Sequence, residues 1–98
     1  MFSCNGNKGF HLEFENCYTL STQFGYGNYC ENYMKEDSKF QTKSKDCEIA
    51  VFYPSGDMMH LDEMIKELFN EEISDTVYGR VTIDKWFKIC EYVKNIKE

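Results

Sequence analysis

Two neighbouring stretches near the start of the chain alternate regularly between apolar and polar side chains. The first covers residues 9–15 and the second residues 17–24, with Glu15-Asn16 offering a turn between them. A period of two places successive side chains on opposite faces of a strand, so each stretch is typical of a half-buried β-strand. The apolar faces hold Phe10, Leu12 and Phe14 in the first stretch and Tyr18, Leu20 and Phe24 in the second. The pattern predicts a β-hairpin, although Cys17 stands where an Asn-Gly turn would be more usual.

Further along the chain, the sequence predicts more strands and two helices. Residues 47–53 are apolar on both faces, which is typical of a central strand, and the turn at residues 54–57 leads into a short predicted strand over residues 58–61. Helical spacing places Leu61, Met64, Ile65, Leu68 and Phe69 on one stripe and Trp86, Ile89, Cys90 and Val93 on another. Thr82 is placed to cap the last helix, and residues 70–80 are predicted to form a loop. We expect an α+β domain with an antiparallel sheet of three to five strands and one or two C-terminal helices packed on one face.

The length and composition favour one domain over residues 1–98, with a core rich in its eight Phe and seven Tyr side chains. No apolar run is long enough to span a membrane, and the first residues lack the pattern of a signal peptide, so we expect a cytoplasmic protein. The odd number of widely spaced cysteines predicts reduced thiols at Cys4, Cys17, Cys30, Cys47 and Cys90. Because no C-x-x-C pair is present and the two histidines are far apart, we predict no metal and no other cofactor.

The formal net charge of −6 comes from one part of the chain, residues 57–75, which we call the acidic segment. It holds seven carboxylates against the single base Lys66, and the rest of the chain is formally neutral. Such a surface disfavours direct binding of DNA or RNA, and it can occupy a basic groove on another protein. A solvated helix face without a partner is the alternative interpretation. The candidate binding residues are Asp62, Glu63, Glu67 and Glu71.

The second candidate site is the aromatic–glycine loop, residues 23–33, which follows the predicted hairpin directly. It contains four aromatic residues, two glycines and two asparagines in eleven positions. Glycine permits sharp turns, and tyrosine combines an apolar ring with a polar tip that suits a binding surface. The spacing Gly25-x-Gly27 is a weak signal for a phosphate loop, because no Gly-Lys-Ser/Thr follows it. The candidate binding residues are Gly25, Tyr26, Gly27, Asn28 and Tyr29.

Residues 31–46 are rich in charged residues and poor in apolar ones, so they predict a long mobile loop. Its lysines could capture an anionic ligand or could simply be solvated. The chain contains no recognisable catalytic motif. Cys30, beside the glycine turn, could pair with His11 or His60, but no local signature supports such a pair, and we predict no enzymatic activity.

The chain contains three stretches that form a combined pattern. They are Gly9-Phe10-x-x-x-Phe14-Glu15-Asn16, then Leu20-Ser21-x-Gln23-Phe24-Gly25-x-Gly27-Asn28-Tyr29-Cys30-x-Asn32, and finally Cys47-Glu48-Ile49-Ala50-Val51. The pattern resembles a group of small phage and prophage accessory proteins, over residues 9–57. The resemblance brings no established activity or site residues with it. It implies a protein expressed inside a bacterium, in a class whose members often antagonise host defence.

Three hypotheses of function follow. In the first, the protein is a non-enzymatic antagonist of bacterial defence that binds a host protein such as a CRISPR effector, with the acidic residues as mimics of nucleic-acid phosphates and Tyr26 and Tyr29 as anchors. In the second, it is a homo-oligomeric sponge for a defence signalling nucleotide. There Tyr29 or Tyr33 would stack on a base and Lys35 or Arg80 would supply charge. In the third, it is a virion or morphogenesis accessory protein.

Overall fold

The computed structural model describes residues 2–4, 8–34 and 42–97, which form an α+β fold as predicted. In chain order the elements are β1 (Phe2–Cys4), β2 (Gly9–Glu13), β3 (Thr19–Gln23), β4 (Thr42–Ser44), β5 (Asp46–Phe52), α1 (Asp62–Phe69), β6 (Tyr78–Thr82) and α2 (Ile83–Lys94). The main antiparallel sheet has the strand order β2-β3-β5-β6, and β1 pairs with β4 in a separate two-stranded sheet. No helix in these described ranges is long and apolar enough to cross a membrane.

The predicted hairpin is formed by β2 and β3, and its turn is held from two directions. The backbone of Cys17 is left-handed, with φ at 70°, a conformation that side chains other than Gly and Asn adopt at a cost. Asn16 accepts a hydrogen bond from the backbone N–H of Tyr18 at 3.1 Å. Its amide group donates to the carbonyl oxygens of Val93 at 2.9 Å and Ile96 at 3.0 Å. The hairpin turn is therefore attached to the end of α2.

One face of the main sheet is buried beneath the helices. Leu20, Ile49 and Val51 are fully buried on this face, as alternation from the predicted strands requires. Trp86 of α2 lies above them, and its indole N–H donates to the hydroxyl of Thr22 at 2.8 Å. The predicted stripe of α2 is confirmed, since Ile89 and Val93 are buried and Trp86 and Cys90 are half-buried. Thr82 caps the helix by accepting a hydrogen bond from the N–H of Lys85.

Helix α1 packs its predicted apolar stripe into the same core. Leu61, Met64 and Ile65 are buried, and Leu68 and Phe69 are half-buried against the core cluster. The helix ends at Asn70, whose left-handed backbone (φ 55°) lets its N–H donate to the carbonyl of Lys66. The charged residues opposite the stripe are left on the surface.

The structure departs from the predicted strand over residues 58–61. Met58 forms only an isolated bridge with Phe52, and the N–H of Met59 donates to the carbonyl of Val51. The chain then leaves the sheet, because the N–H of Leu61 bonds to Asp75 instead. The apolar side chains of Met59 and Leu61 are buried at the entry to α1 and not on a fourth strand.

The predicted loop over residues 70–80 was wrong at its end, where β6 begins at Tyr78. Ile49 faces Tyr78 and Cys47 faces Val81, so β6 holds one residue more than β5 between these pairs. This β-bulge includes Arg80, whose backbone is left-handed with φ at 55°. Because the bulge places the buried Tyr78 and Val81 three positions apart, the strand lacks the alternation by which a strand is recognised.

The other face of the main sheet, which we call the open face, carries His11, Ser21, Gln23, Glu48, Ala50 and Phe52. The ring of His11 packs against that of Phe52, with centroids 5.9 Å apart. Of the predicted long loop 31–46, residues 31–34 form turns, residues 42–44 form β4, and Asp46 begins β5. Residues 35–41 of this prediction lie outside the described residues.

Candidate functional site

The aromatic–glycine loop leaves β3 at Gln23 and folds back through a series of tight turns. The side-chain oxygen of Asn28 accepts a hydrogen bond from the backbone N–H of Gly25 at 3.0 Å. The backbone N–H of Asn28 donates in turn to the carbonyl of Gly25. Gly27 has φ at 85°, which only glycine adopts without strain, and its N–H donates to the carbonyl of Tyr33 at 3.0 Å. Gly27 and Asn28 therefore shape the loop through their residue types, whereas Gly25 contributes backbone hydrogen bonds.

Two carboxylates of β5 hold the loop against the open face. Glu48 accepts hydrogen bonds from the amide group of Asn28 at 3.3 Å and from the N–H of Tyr29 at 3.1 Å. Asp46 accepts one from the N–H of Glu31 at 2.6 Å. In return, the carboxylate of Glu31 accepts a bond from the N–H of Lys45. Charge-assisted bonds of this kind are stronger than those between neutral groups, so the loop backbone is firmly positioned.

The bulge of β6 supplies a second set of anchors. The N–H of Arg80 donates to the carbonyl of Tyr29 at 2.8 Å, and its guanidinium group donates to the carbonyl of Cys30. The left-handed backbone of Arg80 directs these groups toward the loop. Gly79 lies directly beneath Tyr29, since a Cβ atom at position 79 would be 2.4 Å from the Cβ of Tyr29. Close contact between the two backbones therefore requires glycine at this position.

Asn32 closes the loop from the inside. Its side chain is buried, and its amide group donates to the carbonyls of Phe24 at 2.7 Å and Lys43 at 2.6 Å. Because it bonds to both, Asn32 ties the end of β3 to β4 across the base of the loop. Asn32 was not among the binding residues that the sequence predicted for this loop.

The tyrosine side chains of the loop remain on the surface. Tyr26 is 50% exposed, Tyr29 is 52% exposed and Tyr33 is 37% exposed. The rings of Tyr29 and Tyr33 are stacked, with centroids 5.4 Å apart and an angle of 14° between their planes. Met34, which follows, is 80% exposed. We call Tyr26, Tyr29 and Tyr33 the tyrosine cluster, and it is an exposed aromatic surface on a backbone that is hydrogen-bonded to β5 and β6.

The backbone N–H groups of the loop are largely engaged within the protein. Those of Gly25, Gly27, Asn28 and Tyr29 all donate to internal acceptors. A phosphate loop needs such groups free and pointing outward. The loop can therefore contact a ligand through its side chains, and Gly25 and Gly27 do not form a phosphate cradle in this conformation.

The acidic segment places three of its four candidate residues on the surface of α1. Asp62, Glu63 and Glu67 are exposed there. Glu71 is different, because its carboxylate lies 2.9 Å from the ammonium group of Lys85 and also accepts a bond from the hydroxyl of Tyr78 at 2.9 Å. The hydrogen bonds from Lys85 and Tyr78 lower the pKa of Glu71 below its usual value. Its negative charge is therefore partly balanced within the protein, although its side chain remains 45% accessible.

The acidic segment and the tyrosine cluster lie on different layers. Helix α1 packs on the buried face of the sheet, whereas the loop is anchored by Glu48 and Gly79 on the open face. The structure therefore does not join the two predicted sites into one surface.

The structure does not bring Cys30 and His11 together. The thiol of Cys30 is buried and accepts a bond from the N–H of Asn32 at 3.4 Å, while His11 packs on Phe52 across the open face. Burial raises the pKa of the Cys30 thiol, which disfavours the nucleophilic thiolate. Cys17, Cys30, Cys47 and Cys90 are all free thiols. Among the described side chains, no group of three or more His, Cys, Asp or Glu could hold a metal ion.

The sequence did not predict the residues that anchor the loop, namely Asp46, Glu48, Gly79 and Arg80. Glu48 belongs to the predicted strand over residues 47–53, Asp46 to the predicted loop over residues 31–46, and Gly79 and Arg80 to the predicted loop over residues 70–80. Arg80 was predicted only as a possible source of charge for a nucleotide. A partial signal was present, because Asp46 and Glu48 carry charge on one face of an otherwise apolar strand. Comparisons with protein-family models, with curated proteins and with solved structures found no match for this chain.

Proposed function

We propose that this protein is a non-enzymatic antagonist of bacterial defence that binds a host protein through its tyrosine cluster. The observation that supports the proposal is the exposure of Tyr26, Tyr29 and Tyr33 on a loop whose backbone is already ordered by anchors from β5 and β6. Aromatic anchors supply much of the energy of protein interfaces. A loop that is ordered before binding loses less conformational entropy on contact. The resemblance to phage accessory proteins motivates the choice of a defence component as the partner.

In this proposal the acidic segment is a second, separate contact, because α1 and the tyrosine cluster lie on different layers of the fold. Asp62, Glu63 and Glu67 are exposed, while Glu71 is paired with Lys85. Charges on such a surface mainly change the rate of association and its salt dependence. Mimicry of nucleic-acid phosphates would therefore rest mainly on the three carboxylates of α1.

The proposal is tested by capture of partners from bacterial lysate on the tagged protein, followed by measurement of the dissociation constant for the captured partner. We expect the double variant Tyr29→Ser/Tyr33→Ser to bind at least ~30-fold more weakly, because the loss of two hot-spot side chains costs about 2 kcal/mol or more. Tyr53→Ser is the matched control, since Tyr53 is 41% exposed and lies outside the loop. Equal capture by wild type and the double variant would reject the tyrosine cluster as the contact surface.

The contribution of the acidic segment is tested by Glu63→Lys/Glu67→Lys. We expect this variant to associate more slowly with the same partner and to lose most of the salt dependence of that rate. The measurement is the association rate at two salt concentrations. An unchanged rate at low salt would exclude phosphate mimicry, while the tyrosine cluster would remain testable by itself.

A second candidate function is sequestration of a signalling nucleotide, which the stacked pair Tyr29–Tyr33 favours. Aromatic rings of this kind stack on nucleobases. Lys43 and Lys45 are exposed, and the backbone at both positions bonds to the loop. The guanidinium group of Arg80 donates to the carbonyl of Cys30, so one cationic side chain contacts the loop next to Tyr29. Since the loop N–H groups are engaged, phosphates would be held by these side chains.

The two candidates differ in what the purified protein retains. A stoichiometric protein partner that is lost at high salt supports the antagonist. A nucleotide found by mass spectrometry, together with a nucleotide-dependent rise in melting temperature that Tyr29→Ser/Tyr33→Ser abolishes, supports sequestration. Capture of a phage structural protein alone would instead favour a role in virion assembly.

A further inference from the structure

The outer side of β2 carries main-chain groups that no described strand pairs. In the hairpin, the N–H of Phe24 donates to the carbonyl of Lys8 at 2.7 Å and the N–H of Phe14 donates to that of Tyr18 at 2.9 Å. Antiparallel pairs alternate between bonded and non-bonded positions, so the even-numbered residues of β2 bond to β3. The N–H and C=O groups of Gly9, His11 and Glu13 consequently point away from β3. Strand β2 is an edge strand of the main sheet.

Strand β2 is short and ends with Glu13, but it lacks two other features that protect an edge strand, a proline and a bulge. Strand β2 contains no proline, and its register with β3 runs without a bulge from Gly9 to Glu13. The opposite edge differs, because β6 is bulged and the N–H of Arg80 is bonded to the loop. Of the two edges of the main sheet, β2 therefore offers the better template for pairing.

Apolar side chains line the same edge. Leu12 is 36% exposed, and on the same side Phe10 and Phe14, which directly follows β2, are half-buried. Phe87 of α2 is 62% exposed, and its ring meets Trp86, which in turn meets Phe10 with centroids 6.2 Å apart. The unpaired backbone and the exposed rings together form a continuous surface that a strand with an apolar face would cover.

We propose that a second copy of this chain covers this edge, with the two β2 strands paired antiparallel around a two-fold axis at Leu12. In an antiparallel pair, residues that stand opposite each other point to the same face of the sheet. The two-fold axis must therefore lie between a residue and its own counterpart in the second copy, and not between two neighbouring residues. The axis at Leu12 places Phe10 opposite Phe14 of the second copy. It also places His11 opposite Glu13 of the second copy, which joins a base to an acid.

The neighbouring registers are less complementary. An axis at His11 would pair Phe10 with Leu12 of the second copy, but it would also place the two His11 side chains against each other and Glu13 opposite Gly9. An axis at Phe10 would place Lys8 opposite Leu12 of the second copy. Of these three axes, only the one at Leu12 pairs Phe10 with Phe14 and also His11 with Glu13, and cross-strand pairs of matched chemistry stabilise a sheet. Self-complementarity of β2 is thus the reason to choose a second copy over an unrelated strand.

The dimer would have a consequence for binding. Its continuous eight-stranded sheet would carry the two aromatic–glycine loops near its outer edges, roughly 30 Å apart at a strand spacing of about 4.8 Å. Two identical contact surfaces on one particle would bind a multivalent partner with greater avidity than either surface alone. The dimer itself does not depend on the function proposed above.

The first test is disulfide cross-linking of Leu12→Cys in a Cys17→Asn background, which removes the exposed native thiol of the hairpin turn. Residue 12 and its counterpart in the second copy form a non-hydrogen-bonded pair across the axis. The Cα atoms of such a pair lie about 4.5 Å apart, which is within the range of a disulfide. We expect mild oxidation to convert most of the protein to a covalent dimer. The Cys17→Asn protein without the added cysteine measures the background.

The matched control is His11→Cys in the same background, which we expect to cross-link at least ~10-fold more slowly, because residue 11 is offset from its counterpart. Faster cross-linking at 11 than at 12 would overturn the proposed register. The second test is sedimentation of the wild-type protein, for which we expect a dimer. A monomer at 100 μM would overturn the proposal.

A final pair of variants tests whether a new charge disrupts the dimer only when it is placed on β2. Leu12→Lys should convert the dimer to a folded monomer, while Met58→Lys, at a residue of similar exposure outside β2, should leave it intact. Circular dichroism checks that both variants fold. A Leu12→Lys protein that is folded and still dimeric would overturn the assignment of this edge.

Discussion

The aromatic–glycine loop and helix α1 are held in place by opposite kinds of contact. Beyond Gln23 the loop contains no strand or helix, and its backbone is bonded by Asp46, Glu48 and Arg80 from distant strands. Helix α1 forms its backbone hydrogen bonds internally, and its buried stripe, including Met64, holds it to the core. In the loop the charged groups and the buried Phe24 and Cys30 are structural, and the tyrosine rings are exposed. In the helix the apolar groups are structural and the charges are exposed.

This difference explains how each region can expose its candidate binding groups and still be stable. The loop can present tyrosines to solvent because Phe24 and Cys30 hold it to the core and polar contacts bond backbone groups that would otherwise be unpaired. The helix can present carboxylates because its stability comes from apolar burial. The same substitution should therefore have different consequences in the two regions.

The largest effect is expected where the loop backbone contacts β6. In Gly79→Ala the added methyl group would overlap the Cβ of Tyr29, so the free energy of unfolding should fall by about 2–3 kcal/mol. In Gly27→Ala the space is open and only the φ of 85° is strained, which costs about 1 kcal/mol. Urea denaturation measures both variants. A Gly79→Ala protein as stable as wild type would refute the close contact.

The same charge reversal can be made at a residue that holds the loop, Glu48 of β5, and at an exposed residue of α1, Glu63. Glu48→Lys removes the acceptor for Asn28 and for the N–H of Tyr29, and should cost about 2 kcal/mol. Glu63→Lys changes an exposed charge on α1 and should alter the free energy of unfolding by no more than about 0.5 kcal/mol. Thermal or urea unfolding of the two proteins gives the answer. Equal costs would mean that the two regions are stabilised in the same way.

The smallest effect is expected at Glu71, the one candidate of the acidic segment that acts structurally. Because the bond from Lys85 lowers its pKa from 4.5, its contribution is present above pH 4.5 and is lost as the pH falls through the lower folded pKa. The groups are partly exposed, with side chains 35% and 45% accessible, so the contribution should be under about 0.5 kcal/mol.

The variant Glu71→Gln should therefore be slightly less stable than wild type at pH 7. Its disadvantage should shrink progressively when unfolding is measured at pH values below 4.5. A difference that stays constant as the pH falls would show that the pair with Lys85 is not its source.

Several elements could be predicted from the sequence because their signals are local. The alternation on either side of Asn16 predicted the hairpin, and the stripe from Trp86 to Val93 predicted α2 with Thr82 as its cap. Each pattern records which side chains of one element face the core. The glycines and Asn28 similarly indicated a loop with special backbone angles.

Strand β6 could not be predicted, because its bulge at Arg80 breaks the alternation and the bulge is set by pairing with β5. The pairing of Glu71 with Lys85 depends on how the chain after α1 returns to α2, 14 positions further along the chain. Neither feature leaves a periodic signal in the residues nearby.

The sequence by itself determined which faces are apolar, where α2 begins, and that a glycine- and tyrosine-rich turn follows the hairpin. Only the tertiary structure decided that the tyrosines stand outward on an ordered loop. The anchors reach it across the chain, from Asp46, 15 positions from Glu31, and from Arg80, 50 positions from Cys30. Local patterns report burial within one element, whereas a loop without its own hydrogen-bond ladder takes its shape from whatever groups the fold places beside it.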